Sequence, residues 1–462
     1  MAFTDLIFLF VFLPLVWLLY TFGFKKVWGN PFLFLVSLIF CAWGSLYSLV
    51  VLLVVLVATY AAAKGLDAIK DEEERRKIVV YTSAFFLIVL LVYRYLPVWF
   101  SFLPFFSNGV PAPLRMPAGL SFYLFSCFSC VFDVWNRRAP APKSFVDLGI
   151  FAGFFARLNM GPIAHYAHDY EQLAHHPQTS AKNSRGVELF LQGIFMKVII
   201  ADGIDGYIAL LGADASWLGA IMLSLMYLLR IYFDFAGYSR MARGLGSLFG
   251  FTIPANFNKP YSALSVQDFW RRWHISLTDW FRDYVYIPLG GNRVDKSRWM
   301  LNILIVWLLT GLWHGATLHF IVWGLLQAGF ILMEKNVFGS RMNAWPRVLR
   351  HVYVIVTQMI AWTIFTCPTL LGGLGLIARW FGIGASGFAS SASLFALTSG
   401  AVLWILAIAG CTNLPKIING LVRRISGPSY AWVQAISYAL CFFIALSSLV
   451  SSSSLTFLYA VF

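Results

Sequence analysis

Residues Trp299 to Met333 read WMLNILIVWLLTGLWHGATLHFIVWGLLQAGFILM, an apolar, charge-free run broken at its middle by Gly311, Leu312, Trp313, His314 and Gly315. About 20 helical residues cross the hydrocarbon core of a bilayer, so this run is one tilted helix, or two helices hinged where Gly311 and Gly315 flank the histidine. Both readings put His314 near mid-membrane. An ionisable group is costly at that depth, and it is kept for chemistry or transport, or as a hydrogen-bonded structural histidine of a helix bundle.

The remainder of the chain has the same character. Its 462 residues are 60% hydrophobic and 12% charged, with a mean hydropathy of +0.74. That composition excludes a soluble globular protein and predicts an all-α, polytopic membrane protein with roughly ten or more transmembrane helices plus re-entrant or interfacial ones. We read a single integral-membrane domain over 1–462, with its signature core at 234–333. The net charge of +14 lies in short segments between apolar runs, as in cytoplasmic loops. It suits anionic lipid headgroups or a phosphorylated donor and argues against a nucleic-acid partner. The six cysteines fall mostly inside apolar runs, so no disulfide framework is expected, and Cys127 and Cys130 read as structural despite their redox or metal spacing.

Leu6 to Phe24 is a first span that reads as retained, because no basic residue precedes it and further spans follow at once. Val27 to Ala63 reads as a hairpin turning near Gly44, with both basic flanks cytoplasmic. Ile78 to Tyr93 and Leu120 to Phe132 read as spans, and Pro97 to Pro117 as an irregular outer segment between them. Phe145 to Leu158 is short enough for a half-crossing or re-entrant helix. His165, His168, His175 and His176 lie in a polar stretch read as a hydrated surface helix; no carboxylate or cysteine constellation makes it a metal site. Val187 to Leu211 carries Glu188, Lys197, Asp202 and Asp205, which places it against a bundle interior or a water-filled cavity. Ala215 to Phe233 reads as a span, with Arg230 near its end, and Ser239 to Phe251 as amphipathic and basic. His351 to Thr366, Leu394 to Cys411 and Tyr430 to Val450 supply further spans.

Between Asp234 and Arg298 basic and aromatic residues alternate. Read as one helix from Val266 to Tyr286, the residues Trp270, Trp273, Leu277, Trp280, Phe281 and Tyr284 make a single aromatic stripe for the membrane interface. Asp268 and Arg272 pair at four residues' spacing, Asp279 and Arg282 at three. His274 falls on the border of the stripe, facing an internal cavity or merely tolerating the interface. Pro288 to Arg293 then forms a turn whose glycine-freed amides and guanidinium groups suit donor phosphates, or serve as a juxtamembrane anchor.

These residues carry a resemblance. DFAGYS (Asp234–Ser239), NFNKPY (Asn256–Tyr261), FWRRWHISL (Phe269–Leu277), YIPLGGNR (Tyr286–Arg293) and GLWHG (Gly311–Gly315) occur in the order and wording of the membrane-bound O-acyltransferase superfamily. GLSFY (Gly119–Tyr123), GPI (Gly161–Ile163), KVIIAD (Lys197–Asp202) and FLYAVF (Phe457–Phe462) extend the similarity, in the form of the alginate O-acetylation branch, over nearly the whole chain. Each motif alone is weak; the ordered set is highly specific. Arg240, where the family usually has an acidic residue, and His165, where it more often has arginine, depart from the pattern.

The resemblance implies a tunnel through the membrane in which a cytoplasmic donor meets an acceptor from outside. It places the catalytic histidine at His314 and the second histidine motif at His274. It also implies the bacterial inner membrane, an exported polysaccharide such as alginate or cellulose, and a periplasmic acetyltransferase partner. D-alanyl transfer to a cell-wall polymer, or a proton-coupled transporter or flippase, is the alternative. Transfer of a thioester-borne acetyl group needs a base and an oxyanion stabiliser. His314, kept neutral by burial, is the expected base. His274 is expected at the oxyanion and donor, with Trp313, Asn256 or Asn258 nearby; Asp234 and Tyr238 organise the cavity, and Arg271, Arg272 and Arg293 supply donor-side charge. His319, about 140° round a continuous helix from His314, points elsewhere. The co-substrate is an acetyl thioester, acetyl-CoA or an acyl carrier; no metal or tightly bound cofactor is called for.

Overall fold

The computed structural model describes residues 1–100, 115–451 and 457, and every regular element among them is helical. Among the described residues six helices are long and apolar enough to cross a membrane, or seven if Ser391–Ser399 and Ala401–Gly410, bent by 62°, are one broken span. Shorter apolar helices at Phe8–Phe24, Gly29–Gly44, Leu120–Trp135 and Leu370–Arg379 stand beside them. Most of the expected Pro97–Pro117 segment lies outside the described residues.

The helices used below are α1 (Glu72–Phe100), α2 (Leu120–Trp135), α3 (Ser180–Ile194), α4 (Trp217–Leu248), α5 (Val266–Trp270), α6 (Ile275–Phe281), α7 (Lys296–His314), α8 (Leu318–Met333), α9 (Arg347–Thr366), α10 (Leu414–Ser426) and α11 (Tyr430–Ser451). The backbone of the bundle is the pair α3 and α4. It closes on glycines: a Cβ on Gly193 would lie 2.5 Å from the Gly237 carbonyl oxygen, and one on Gly244 would lie 2.6 Å from that of Gly186. Small residues at such spacing let two backbones touch, the usual way helices associate where lipid removes the hydrophobic drive.

Two sequence expectations change here, and a third is extended. The span read at Ala215–Phe233 runs on into the basic stretch, since α4 is unbroken from Trp217 to Leu248, its first turn capped by the Ser216 hydroxyl. The single helix expected from Val266 to Tyr286 is two helices, α5 and α6, parted at Arg271–His274, with His274 in the left-handed region at φ +44. The residues after Ala164 are not a hydrated surface throughout, since His165 is buried against the Ser276 carbonyl at 3.1 Å and His176 bonds to Asn30 at 2.7 Å.

Other expectations hold. Phe145–Gly153 is a short helix followed by buried non-helical chain, which is tolerated only inside protein. Three of the four charges of Val187–Leu211 turn inward: Lys197 Nζ, 1% exposed, lies 2.7 Å from Asp202 and 2.8 Å from Asp234, and Asp205 pairs with Arg230 at 2.8 Å, whereas Glu188 is half-buried and pairs with exposed Arg185. The hinge at the central run forms, with α7 ending at His314 and α8 beginning at Leu318. Helix α10, which no sequence expectation covered, is amphipathic, with Leu414, Ile417, Ile418, Leu421 and Ile425 exposed along one stripe and Lys416, Arg423 and Arg424 elsewhere on it, the pattern of a helix lying in a membrane interface.

Candidate active site

Helices α7 and α8 cross so closely that a Cβ on Gly311 would sit 2.5 Å from the Phe320 carbonyl oxygen. That contact explains the glycine before the histidine, and Gly315 then ends the helix in an extended conformation at φ 168, so that α8 turns back over His314. His314 is 3% exposed. Its ring meets Trp313 at 4.5 Å, Phe365 of α9 edge-on at 4.9 Å, Trp323 of α8 edge-on at 5.1 Å and Phe320 at 6.1 Å. The Tyr95 hydroxyl of α1 donates to the Leu312 carbonyl at 2.7 Å, fixing the same turn from the other side.

The second histidine arrives from the break between α5 and α6. The preceding loop supplies what a continuous helix would have supplied: the Asn256 carbonyl accepts the Ile275 N–H at 3.0 Å, and the Asn258 N–H donates to the Arg272 carbonyl at 2.9 Å. His274, 1% exposed, is thereby held with its ring edge-on to Phe235 at 4.7 Å and 6.3 Å from Trp313. The indole of Trp313 thus touches both histidines. Its Nε1–H is buried and has no hydrogen-bond partner among the described residues, as is true of His274 Nε2.

A cleft of about 280 Å³ opens between α5–α6 and α7–α8. Exposed Arg271, Arg282 and Lys335 give it a cationic mouth, while buried Trp270, Phe281 and Thr310 lie deeper. Thr310 stands one helical turn before His314. Arg282 is shared by Asp279 at 2.6 Å and Asp283 at 2.7 Å, and Lys335 lies over the Trp299 ring at 4.9 Å. Arg271 forms no ion pair among the described residues.

The structure therefore gathers His314, His274, Trp313 and Asn256, and puts Arg271 at the cleft. Arg272 pairs with Asp268 at 2.9 Å beside it. Asn258 and Arg293 are exposed and outside the residues lining the cleft. Asp234 is committed to Lys197, and Tyr238 stacks on Phe3 at 4.8 Å and meets Phe457 edge-on at 5.1 Å. The rotation assigned to His319 does not apply, since the chain breaks before it; its ring lies 4.1 Å from Phe320.

Sequence reading passed over three supports. Gln327 Oε1 accepts the Trp270 indole N–H at 3.0 Å and Gln327 Nε2 donates to Gln358 at 3.2 Å, joining α5, α8 and α9. Glu334 accepts the backbone N–H groups of Val266 and Gln267, capping α5. Asn302 donates to the Leu289 and Gly291 carbonyls at 3.2 and 3.1 Å, tying the Pro288–Arg293 loop to α7. For Gln327 and Asn302 the available signal was a lone amide in an apolar helix, because each must find a partner.

Comparison with known proteins agrees with this architecture. The model of the membrane-bound O-acyltransferase family matches residues 36–376. The chain is 39% identical over 280 residues to the "Probable alginate O-acetylase" of Azotobacter vinelandii, covering 59% of this chain and 55% of that protein. It is 33% identical over 389 residues to the protein of the same description in Pseudomonas syringae pv. tomato, covering 80% and 73%. It is 38% identical over 256 residues to the "Peptidoglycan O-acetyltransferase" of Helicobacter pylori, covering 52% and 47%. The chain thus spans about half the length of two of these three relatives.

Proposed function

The chain belongs to the membrane-bound O-acyltransferase family, and from that premise we propose that it transfers an acetyl group from a thioester donor toward a hydroxyl of an exported polysaccharide. The observation that carries the reading is the meeting of both histidines on Trp313, at 4.5 and 6.3 Å, one helical turn from Thr310 in the wall of a cationic cleft that none of the three lines. His314 takes the hydroxyl proton as the oxygen attacks the thioester carbonyl. The C–S bond then breaks, and the imidazolium returns the proton to the leaving thiolate. The buried Trp313 N–H donates to the oxyanion, where a dry, preorganised donor is worth most. The donor, acetyl-CoA or an acyl carrier, enters at Arg271, Arg282 and Lys335, on the side that the positive-inside bias makes cytoplasmic. The acceptor arrives from the opposite side, directly or through a periplasmic partner, in a bacterial inner membrane. Relatives described as acting on alginate and on peptidoglycan support a polysaccharide as the substrate class.

The test is genetic. Deletion should strip acetyl ester from one exported polymer, and a plasmid copy should restore it while an equally abundant His314→Ala copy does not. Full restoration by His314→Ala removes the base. Loss of D-alanyl ester in place of acetyl, or of polymer export with ester transfer intact, replaces the acetyl reading with the cell-wall or transporter one.

A further inference from the structure

One hydrogen-bond network ties the loop before α5 to the residues after the break at His274. Asn256 Oδ1 accepts the Ser276 backbone N–H at 3.1 Å and the Ser276 hydroxyl at 3.0 Å. A backbone amide can only donate, so the atom facing it is the carboxamide oxygen and the orientation of Asn256 is set. The Ser276 hydroxyl accepts the Ile163 N–H at 3.0 Å, which leaves its own proton for Asn256. His274 Nδ1 stands 3.3 Å from the same oxygen. Two atoms that only accept do not bond, so Nδ1 carries the proton and the neutral ring keeps a bare lone pair on Nε2. That atom is buried and has no partner among the described residues, and neither does Asn256 Nδ2. The left-handed φ of +44 at a non-glycine residue shows that the surroundings, not the local chain, dictate where this ring points.

We propose that Asn256, locked by Ser276, is a positioning residue that holds His274 as the Nδ1–H tautomer, so that Nε2 accepts a hydrogen bond from an acceptor hydroxyl. The attacking hydroxyl gives its proton to His314; the one on His274 is its neighbour on the sugar, which a carbohydrate supplies and a monohydric alcohol lacks. In this tautomer neutral His274 cannot donate to an oxyanion through Nε2. The oxyanion role expected of it from the sequence passes to Trp313.

The proposal rests on the acyl-transfer reading, and its test separates the two. Protein labelled with ¹⁵N-histidine in lipid bilayers gives tautomer signals without turnover, with His274 assigned as the resonance missing from His274→Gln. The expected result is a protonated Nδ1 and an unprotonated Nε2 in wild type. Asn256→Ala should move population to the other tautomer, and Asn256→Asp, whose carboxylate also accepts from Nδ1–H, should retain it. With acetyl-CoA as donor, kcat for polymer acetylation should fall at least 10-fold in Asn256→Ala with KM for acetyl-CoA unchanged, and Asn256→Asp should recover part of it. Ser276→Ala, which keeps the carboxamide, should lie between. A protonated Nε2 in wild type, or an Asn256→Ala protein with unaltered tautomer and kcat, overturns the proposal. A correct tautomer in a protein that transfers no acetyl group overturns the functional reading, and the hydroxyl contact with it, while the tautomer assignment stands.

Discussion

Gly311→Ala is the sharpest probe of how His314 is held. The added methyl would lie 2.5 Å from the Phe320 carbonyl oxygen and 3.3 Å from its carbon. Carbon meets a carbonyl oxygen at about 3.3 Å, so α7 and α8 must part by roughly 0.8 Å. The obstacle is backbone, which cannot rotate aside. Overpacking of this kind costs about 1–3 kcal/mol, roughly 1 °C of melting midpoint per kcal/mol for a chain of 462 residues. The same substitution at Gly329 on α8 meets nothing within 4 Å. There it should be neutral or stabilising by up to about 1 kcal/mol, through helix propensity alone. Apparent melting of detergent-solubilised protein, followed by loss of the monodisperse peak on heating, should therefore place Gly311→Ala about 1–3 °C below wild type and Gly329→Ala at or above it. Acetyl transfer should fall in parallel for Gly311→Ala, by up to about 10²-fold for a 1 Å misplacement of the base. Equal stability and activity in the two variants would refute the close crossing and the positioning argument built on it.

Lys197→Met leaves Asp202 and Asp234 buried without their cation, and should lower stability by about 3–5 kcal/mol, with adding Asp234→Asn recovering part of the loss; thermal melting of both variants checks this. Arg271→Glu and Lys335→Glu alter exposed charges at the cleft mouth, so steady-state kinetics should show KM for acetyl-CoA raised severalfold, kcat little changed, and the difference shrinking at 1 M salt. His176 lies in the loop before α3, and burial holds its imidazole below the ordinary histidine range. The unfolded chain then binds that proton more readily, so this contribution to stability is present above about pH 6.5 and fades as pH falls below it. Melting midpoints from pH 7.5 to 5 should show the decline in wild type and a shallower one in His176→Gln.

Much of this fold is legible in the sequence because lipid imposes simple rules. The apolar runs, the hinge at Gly311–Gly315 and the inward-facing charges at Lys197 and Asp202 all follow from the cost of polar groups in hydrocarbon. The break at His274 does not. Trp270, Trp273, Trp280 and Phe281 are buried on both sides of it, so their spacing passes through the break with the phase of one helix. What ends α5 is tertiary: Asn256, nearly twenty residues earlier, captures the amides of Ile275 and Ser276 that a continuous helix would use. For the same reason the tautomer of His274 was not readable, whereas the histidines themselves were. The cleft too is tertiary, since it draws Gln267, Arg282, Thr310 and Lys335 from four separate stretches.

The proposed chemistry requires that one buried imidazole, His314, take the acceptor's proton during acyl transfer. The most direct measurement uses purified protein in nanodiscs with ¹⁴C-acetyl-CoA and the polymer identified by deletion, comparing wild type with His314→Gln at matched amounts of folded protein. Labelled ester should form on the polymer with wild type, and at least about 10² more slowly with His314→Gln, the low end for a lost general base. Labelled ester forming at the wild-type rate in the variant would contradict it.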